Sequence, residues 1–210
     1  LNPTFDGTQL KSGDILISRG NAISSAAIAR LADVDTQFSH MAFVYIDPVT
    51  KQIYTIESHT ELGNVTAPFS KYFKDGKARS AIYRFADEKT AARAAEIMYK
   101  KVSRAEVKGT RIPYDFAMNP NTESALFCSE VVREGFALAT QEQLQVPLYM
   151  SKLSMKNRAL LEKLGATVTE TFMPADIDGD PRFQLVGEWR DFKQIQKMWI
   201  EDAILTKMYE

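Results

Sequence analysis

Cysteine and histidine are scarce in this chain of 210 residues, which contains one cysteine and two histidines. A single cysteine cannot form a disulfide within the chain, so we expect no internal disulfide framework. Metal sites are often recognised in a sequence by a close pair of ligands such as Cys-x-x-Cys or His-x-x-x-His, and this sequence contains no such pair. Glycine-rich patterns that bind nucleotide phosphates are missing as well. The sequence therefore predicts neither a metal site nor a cofactor.

Long apolar runs are also missing, since no stretch approaches the roughly 20 apolar residues of a membrane-spanning helix. The formal net charge is −1, so no broad basic surface points to a nucleic acid partner. A length of 210 residues fits one globular domain. We expect a single domain over residues 1–210, and the sequence carries no signal about oligomeric state.

The chain begins with Leu1 rather than methionine, which fits either the removal of a leader segment or a sequence trimmed at its N-terminus. We expect an exported protein of the periplasm or cell envelope. A cytoplasmic location is the alternative.

The one cysteine, Cys128, lies where a helix is predicted to begin. Turn and cap residues occupy 119–124, and the apolar residues Val131, Val132 and Phe136 follow at helical spacing. Unpaired backbone N–H groups and the positive dipole end gather at a helix start, and both favour a thiolate. The position thus predicts a thiol pKa below its usual value of about 8.5. The alternative is a small buried apolar residue without a chemical role.

Both histidines lie in one predicted β-hairpin with strands at 38–46 and 53–59. A symmetric turn between the strands places His40 about opposite Glu57 or His59, whose side chains share one face. A nucleophilic thiol needs a base, and a histidine base needs a third group that orients its ring. Glu57 is the first candidate for that orienting group, and His59 is the second.

Further elements follow from hydrophobic periodicity and turn residues. Strands are predicted at 13–18, 80–85 and 183–189, and helices at 22–31, 154–164 and 191–208. In the last helix, one apolar face is expected to be buried and consists of Ile195, Met198, Trp199, Ala203 and Ile204.

Five short blocks in a fixed order resemble a known enzyme group. They are similar to the circularly permuted, papain-like branch of the NlpC/p60-type cysteine hydrolases, the YiiX/YebB-like group. The blocks are Gly13–Leu16, Phe38–Val44, Ile56–Ser58, Tyr114–Phe116 and Phe127–Val132.

This resemblance implies an α+β, papain-like fold in which an antiparallel, barrel-like sheet packs against the helix carrying the nucleophilic cysteine. The core would cover about residues 12–140, with residues 141–210 as a C-terminal decoration. Carried over by position, Cys128 would be the nucleophile, His40 the base and Glu57 the orienting group. The backbone N–H of Cys128 would be one oxyanion donor, and Tyr114 would line the site.

The resemblance also implies a cysteine hydrolase of the amidase or peptidase type. It would cleave an amide or ester bond in a cell-envelope peptide or an acylated, lipid-like substrate through a thioacyl intermediate. Two alternatives are a papain-like module that binds a lipid or peptide with little catalysis, and an acyltransferase.

Overall fold

The structure is a computed structural model that describes residues 4–5, 7–33, 37–122, 124–154 and 158–209. Its strands are β1 (Thr4–Phe5), β2 (Thr8–Gln9), β3 (Ile15–Gly20), β4 (His40–Ile46), β5 (Ile53–His59), β6 (Gly63–Pro68), β7 (Lys77–Phe85), β8 (Ser151–Lys152), β9 (Glu170–Thr171) and β10 (Phe183–Arg190). Its helices are α1 (Ile23–Ala29), α2 (Glu88–Val107), α3 (Cys128–Thr140), α4 (Arg158–Leu164) and α5 (Phe192–Tyr209). Over these described ranges, no helix combines the length and apolar character needed to cross a membrane.

A six-stranded antiparallel sheet organises the molecule, in the order β10-β7-β3-β4-β5-β6. The predicted hairpin is its β4–β5 pair, with Ala42 opposite Glu57. Helices α2 and α3 pack against β4 and against each other. This arrangement confirms the expected α+β class, with an antiparallel sheet packed on the helix that carries Cys128.

Strand β4 is apolar along its whole centre because both of its faces are covered. Met41, Phe43 and Tyr45 belong to the larger core beneath α2 and α3. Ala42 and Val44 belong to a second apolar cluster on the other face. A strand buried on both faces has a continuous apolar sequence rather than an alternating one.

Close packing of α3 depends on Gly135, which is its contact point with the sheet and with α2. A Cβ atom added there would lie 2.9 Å from the side chains of Phe43 and Met98. Phe136 stacks on Phe43 with ring centroids 5.8 Å apart. The absent side chain thus lets α3 approach β4, which brings the start of α3 to the end of the sheet where β4 begins.

The C-terminal third of the chain contributes to the sheet itself. Strand β10 pairs with β7 from Phe183 opposite Phe85 to Arg190 opposite Arg79. The expected boundary between a core of residues 12–140 and a decoration of 141–210 therefore cuts through the sheet, because β10 lies in the expected decoration and its partner β7 lies in the expected core. The predicted helix at 154–164 is present as α4 from Arg158, and residues 155–157 lie outside the described residues.

Helix α5 is present, but most of its predicted buried face is wrong. Met198 is buried as expected, together with Leu205 two turns further on. Trp199, Ala203 and Ile204 are exposed instead. The helix has large apolar residues around most of its circumference, so periodicity alone does not identify the side that packs on the protein.

Candidate active site

Cys128 is the first residue of α3, as the sequence predicts, and only 5% of its surface is exposed. Glu130 caps the start of the helix, because its carboxyl oxygen accepts a hydrogen bond from the backbone N–H of Phe127 at 3.0 Å. The thiol lies 3.8 Å from the hydroxyl oxygen of Ser129. The local sequence therefore fixes the cysteine at the N-terminal end of a helix that is anchored in the core.

The predicted lowering of the thiol pKa is wrong. Burial raises the pKa of the Cys128 thiol above its ordinary value. The backbone N–H of Met41, the Ser129 hydroxyl and the amides of the first helical turn act in the opposite direction, and their effect is smaller. Desolvation thus outweighs the helix start, and Cys128 is a neutral thiol at rest.

His40 and Glu57 are in hydrogen-bond contact. Nε2 of His40 lies 2.7 Å from Oε2 of Glu57. The other carboxylate oxygen, Oε1, accepts a hydrogen bond from the Thr55 hydroxyl at 2.5 Å. This geometry follows from the hairpin register, because the residue opposite Glu57 is Ala42, two positions from His40.

The second histidine contacts the same carboxylate. Nε2 of His59 lies 3.5 Å from Oε2 of Glu57, and the rings of His59 and His40 are 5.3 Å apart. The hairpin thus brings together both candidates for the orienting group, and Glu57 makes the shorter contact with His40.

The protonation states of this group follow from burial and from the charges nearby. Burial acts to raise the pKa of Glu57, but hydrogen bonds from His40 and His59 and the charge of Lys77 hold that pKa well below its ordinary value. Burial lowers the pKa of His40 despite the neighbouring carboxylate. At neutral pH, an ionised Glu57 therefore accepts a hydrogen bond from Nε2–H of a neutral His40. The lone pair of the imidazole then lies on Nδ1.

One cleft of about 210 Å³ joins these elements. Four of the five predicted site residues line it, and Glu57 lies behind His40 in the sheet. Hydroxyl side chains and one lysine form much of the remaining wall. The residues lining the cleft are Ser18, Gly20, Ser24, Ser25, Ile28, Ser39, His40, Ser58, His59, Thr60, Lys77, Tyr114 and Cys128.

Tyr114 lies half-buried in this cleft, as predicted for a site-lining residue. Burial and the neighbouring Cys128 raise the pKa of its phenol, so the hydroxyl stays protonated and can donate a hydrogen bond. Its ring packs against Phe116 with centroids 4.9 Å apart. The cleft therefore holds a neutral hydrogen-bond donor close to the thiol.

Lys77 is a site residue that sequence reasoning missed. Its side chain is buried at the start of β7, and its ammonium nitrogen lies 4.2 Å from the ring centroid of Tyr72. Its charge lowers the pKa values of both Glu57 and His40. No sequence pattern singles out this lysine, because only the pairing of β7 with β3 brings it to the cleft.

A larger cavity of about 490 Å³ lies along α3 and is lined by Glu130, Arg133 and Glu134. Burial raises the pKa of Glu130 to about 8. Neither Cys128 nor His40 lines this cavity, so the smaller cleft is the candidate active site.

The hairpin also forms a cluster of possible metal ligands, in contrast to the sequence prediction of no metal site. Nitrogen atoms of His40 and His59 and a carboxylate oxygen of Glu57 all lie within 4.8 Å of one another. Two imidazoles and a carboxylate suit Zn²⁺ and similar divalent ions. His40 comes from β4, whereas Glu57 and His59 come from β5, which is why the sequence shows no close pair of histidine or cysteine ligands.

A cysteine at a helix start and a carboxylate-bound histidine on an adjacent strand, both facing one cleft, place the protein in the class of papain-like cysteine hydrolases. The model of the permuted papain-like amidase family, YaeF/YiiX, C92 family, matches residues 9–187, and the chain belongs to this family. The expected cysteine-dependent hydrolase of the amidase type is thereby confirmed.

The fold agrees with this assignment. The chain is similar to the crystal structure of metalloprotein yiiX from Escherichia coli O157:H7, with a TM-score of 0.64 and 18% sequence identity. The match covers 87% of this chain and 99% of that one. No curated protein matches the chain.

Proposed function

We propose that Cys128 is the nucleophile of an amidase, that His40 is its general base and acid, and that Glu57 orients and stabilises His40. The observation that carries this proposal is the 2.7 Å contact between His40 and Glu57 in a site whose cleft is lined by His40 and Cys128. This contact uses Nε2 and leaves Nδ1 to accept the thiol proton.

The reaction then proceeds in two halves. As Sγ of Cys128 attacks the substrate carbonyl carbon, its proton moves to Nδ1 of His40, and the carbonyl oxygen becomes an oxyanion. The backbone N–H of Cys128 and the hydroxyl of Tyr114 are the donors proposed for that oxyanion. His40 passes the proton to the leaving nitrogen, the C–N bond breaks, and a thioester remains. Water attacks the thioester, gives a proton to His40 and releases the acid, and His40 returns the proton to the sulfur.

The protein is proposed to be exported. Its proposed substrate is a cell-envelope peptide or an acylated, lipid-like amide. The hydroxyl-rich wall of the cleft favours a peptide substrate, because the hydroxyl groups of Ser18, Ser39 and Thr60 can form hydrogen bonds with amide groups beside the scissile bond. A cleft of about 210 Å³ has room for only a short part of either substrate. Comparing the hydrolysis of short peptide amides with that of long-chain N-acyl amides distinguishes the two classes.

The proposal is tested by the pH dependence of acylation. With p-nitrophenyl acetate as a probe, we expect the rate of Cys128 acetylation to rise with pH through a midpoint below about 6.5. Only neutral His40 can accept the thiol proton, and burial lowers the pKa of His40. Intact-mass kinetics from about pH 4 to about pH 9, with a chelator present, give the profile.

His40→Ala is the matched control for this profile. Without the base, the thiol must ionise by itself, and burial raises its pKa. Acetylation of the variant is therefore expected only in the alkaline range. A native profile that coincides with the profile of His40→Ala would refute the role of His40.

A second candidate function is the binding of a divalent metal ion by His40, Glu57 and His59. The observation that favours it is the clustering of their ligand atoms within 4.8 Å, and the structurally similar yiiX is itself described as a metalloprotein. Such an ion supplies Lewis acidity and polarises water when bound. Coordination through Nε2 would leave the imidazole proton on Nδ1, so the two functions exclude each other at His40.

Zinc binding is expected to slow the alkylation of Cys128 by iodoacetamide at least about tenfold at saturation, with recovery after chelation. Calorimetry with ZnCl₂ measures the binding itself. Binding should persist in Cys128→Ala and be lost in His59→Ala, which separates the hairpin site from simple coordination of the thiol. Equal calorimetric binding by His59→Ala and the native protein would rule the hairpin site out.

A further inference from the structure

The solvent-facing side of α5 has an unusual composition. Phe192, Trp199 and Met208 are exposed by 76%, 63% and 69%. Ile200 and Ile204 are exposed beside them. So many large apolar side chains exposed along one helix are uncommon on a globular protein and point to an interaction site.

The charges on this side of the helix all have one sign. Lys193, Lys197 and Lys207 are exposed. The two acidic residues of α5, Glu201 and Asp202, are half-buried, and Asp202 pairs with Arg19 and Arg30 on the protein side. Among the described side chains of α5, the exposed ones therefore include three cations and no anion, although the whole chain has a net charge of −1.

We propose that this surface, the α5 face, docks the protein on an anionic lipid bilayer. The α5 face consists of Phe192, Lys193, Lys197, Trp199, Ile200, Ile204, Lys207 and Met208. Trp and Phe side chains favour the interfacial region of a membrane, and lysines beside them attract anionic headgroups.

The charge pattern favours a membrane over a second copy of the chain. In a symmetric dimer the same face lies on both partners, so the three lysines would be brought against identical lysines. An anionic membrane provides negatively charged headgroups for the lysines and an apolar layer for the exposed apolar side chains. This complementarity is what the α5 face requires.

The α5 face is connected to the cleft through helix α1. Helix α5 packs on α1, and residues on either side of α1 bond to it: Arg30 donates to Asp202 at 2.9 Å, and Asn21 donates to Gln194. Helix α1 in turn supplies Ser24, Ser25 and Ile28 to the cleft wall. Docking through α5 would hold the cleft next to the bilayer, where a membrane-attached substrate is concentrated. The docking itself does not depend on catalysis.

Vesicle sedimentation with the full chain tests the proposal. We expect the native protein and Cys128→Ala to bind vesicles of equal parts phosphatidylcholine and phosphatidylglycerol at least about tenfold more tightly than vesicles of phosphatidylcholine alone. High salt should weaken the binding. In Trp189→Phe, the emission of the remaining Trp199 should shift to the blue on binding.

Two pairs of variants localise the contact. Trp199→Glu is expected to lose at least about tenfold in affinity, whereas Val49→Glu, at an even more exposed apolar position on the hairpin turn, keeps native affinity. The triple change of Lys193, Lys197 and Lys207 to Gln should lose about a hundredfold on anionic vesicles. The same change at Lys89, Lys100 and Lys108, three exposed lysines of α2 and its C-terminal cap, should have little effect.

Three results would overturn the proposal. One is equal sedimentation of the native protein with both vesicle types. The second is an equal loss of binding in the two lysine triple variants. The third is a concentration-dependent dimer that Trp199→Glu dissociates, without vesicle binding, which would show that the α5 face joins two copies of the chain.

Discussion

Cys128→Ala is expected to lower the rate of amide hydrolysis by at least about 10⁴-fold, with little change in thermal stability. In the proposed mechanism, the sulfur forms the covalent bond to the substrate, and no other cysteine exists in the chain. The change removes one buried sulfur at the edge of the core, so the fold should be retained. The thermal midpoint and the far-ultraviolet circular dichroism spectrum measure that retention.

Cys128→Ser provides the matched comparison, because it keeps an O–H group beside His40. The hydroxyl is far less acidic than the thiol, so turnover is expected to stay at least about 10³-fold below the native rate. Intact mass should show an acetyl adduct on native protein treated with p-nitrophenyl acetate and no adduct at residue 128 in either variant. Turnover at the native rate in folded Cys128→Ala would eliminate the cysteine mechanism.

Glu57→Gln is expected to lower the acylation rate by about 10²- to 10⁴-fold. The amide preserves the shape of the side chain, but it cannot stabilise the imidazolium that forms when His40 takes the thiol proton. The carboxylate also raises the pKa of His40, so its removal should move the acidic limb of the pH–rate profile to lower pH. A purely structural role of Glu57 would lower the rate without that shift.

His59→Gln separates the two candidates for the orienting group. Nε2 of His59 lies 3.5 Å from Oε2 of Glu57, and the ring of His59 lies 5.3 Å from the ring of His40. We therefore expect its replacement to slow acylation by less than about tenfold. Should His59→Gln cost as much as Glu57→Gln, the orienting role would have to be shared between the two residues.

The sequence predicted the relation between the histidines and Glu57 because strand geometry is local. A short turn fixes the register of a hairpin, and the register fixes which side chains are neighbours. The position of Cys128 at a helix start was equally local, since cap residues and helical spacing mark it.

Properties that depend on the surroundings of a residue were not predictable in the same way. The helix start favours a thiolate at Cys128, but only the packing of α3 on β4 reveals a burial that raises the thiol pKa instead. Lys77 enters the cleft through a strand pairing distant in sequence. Trp199 was assigned to the wrong side of α5 because an apolar helix does not indicate which side meets the protein.

Strand β10 has a consequence for how the molecule is synthesised. All residues proposed for catalysis precede residue 129, yet β7 has no partner on one side until residues 183–190 have left the ribosome. Until then, its edge is a row of unpaired backbone groups that can pair with another nascent chain. A shortened chain ending at residue 140 would hold every proposed catalytic group and still present this open edge. Completion of the sheet, rather than completion of the site, thus sets the minimal length of a chain that folds without aggregating.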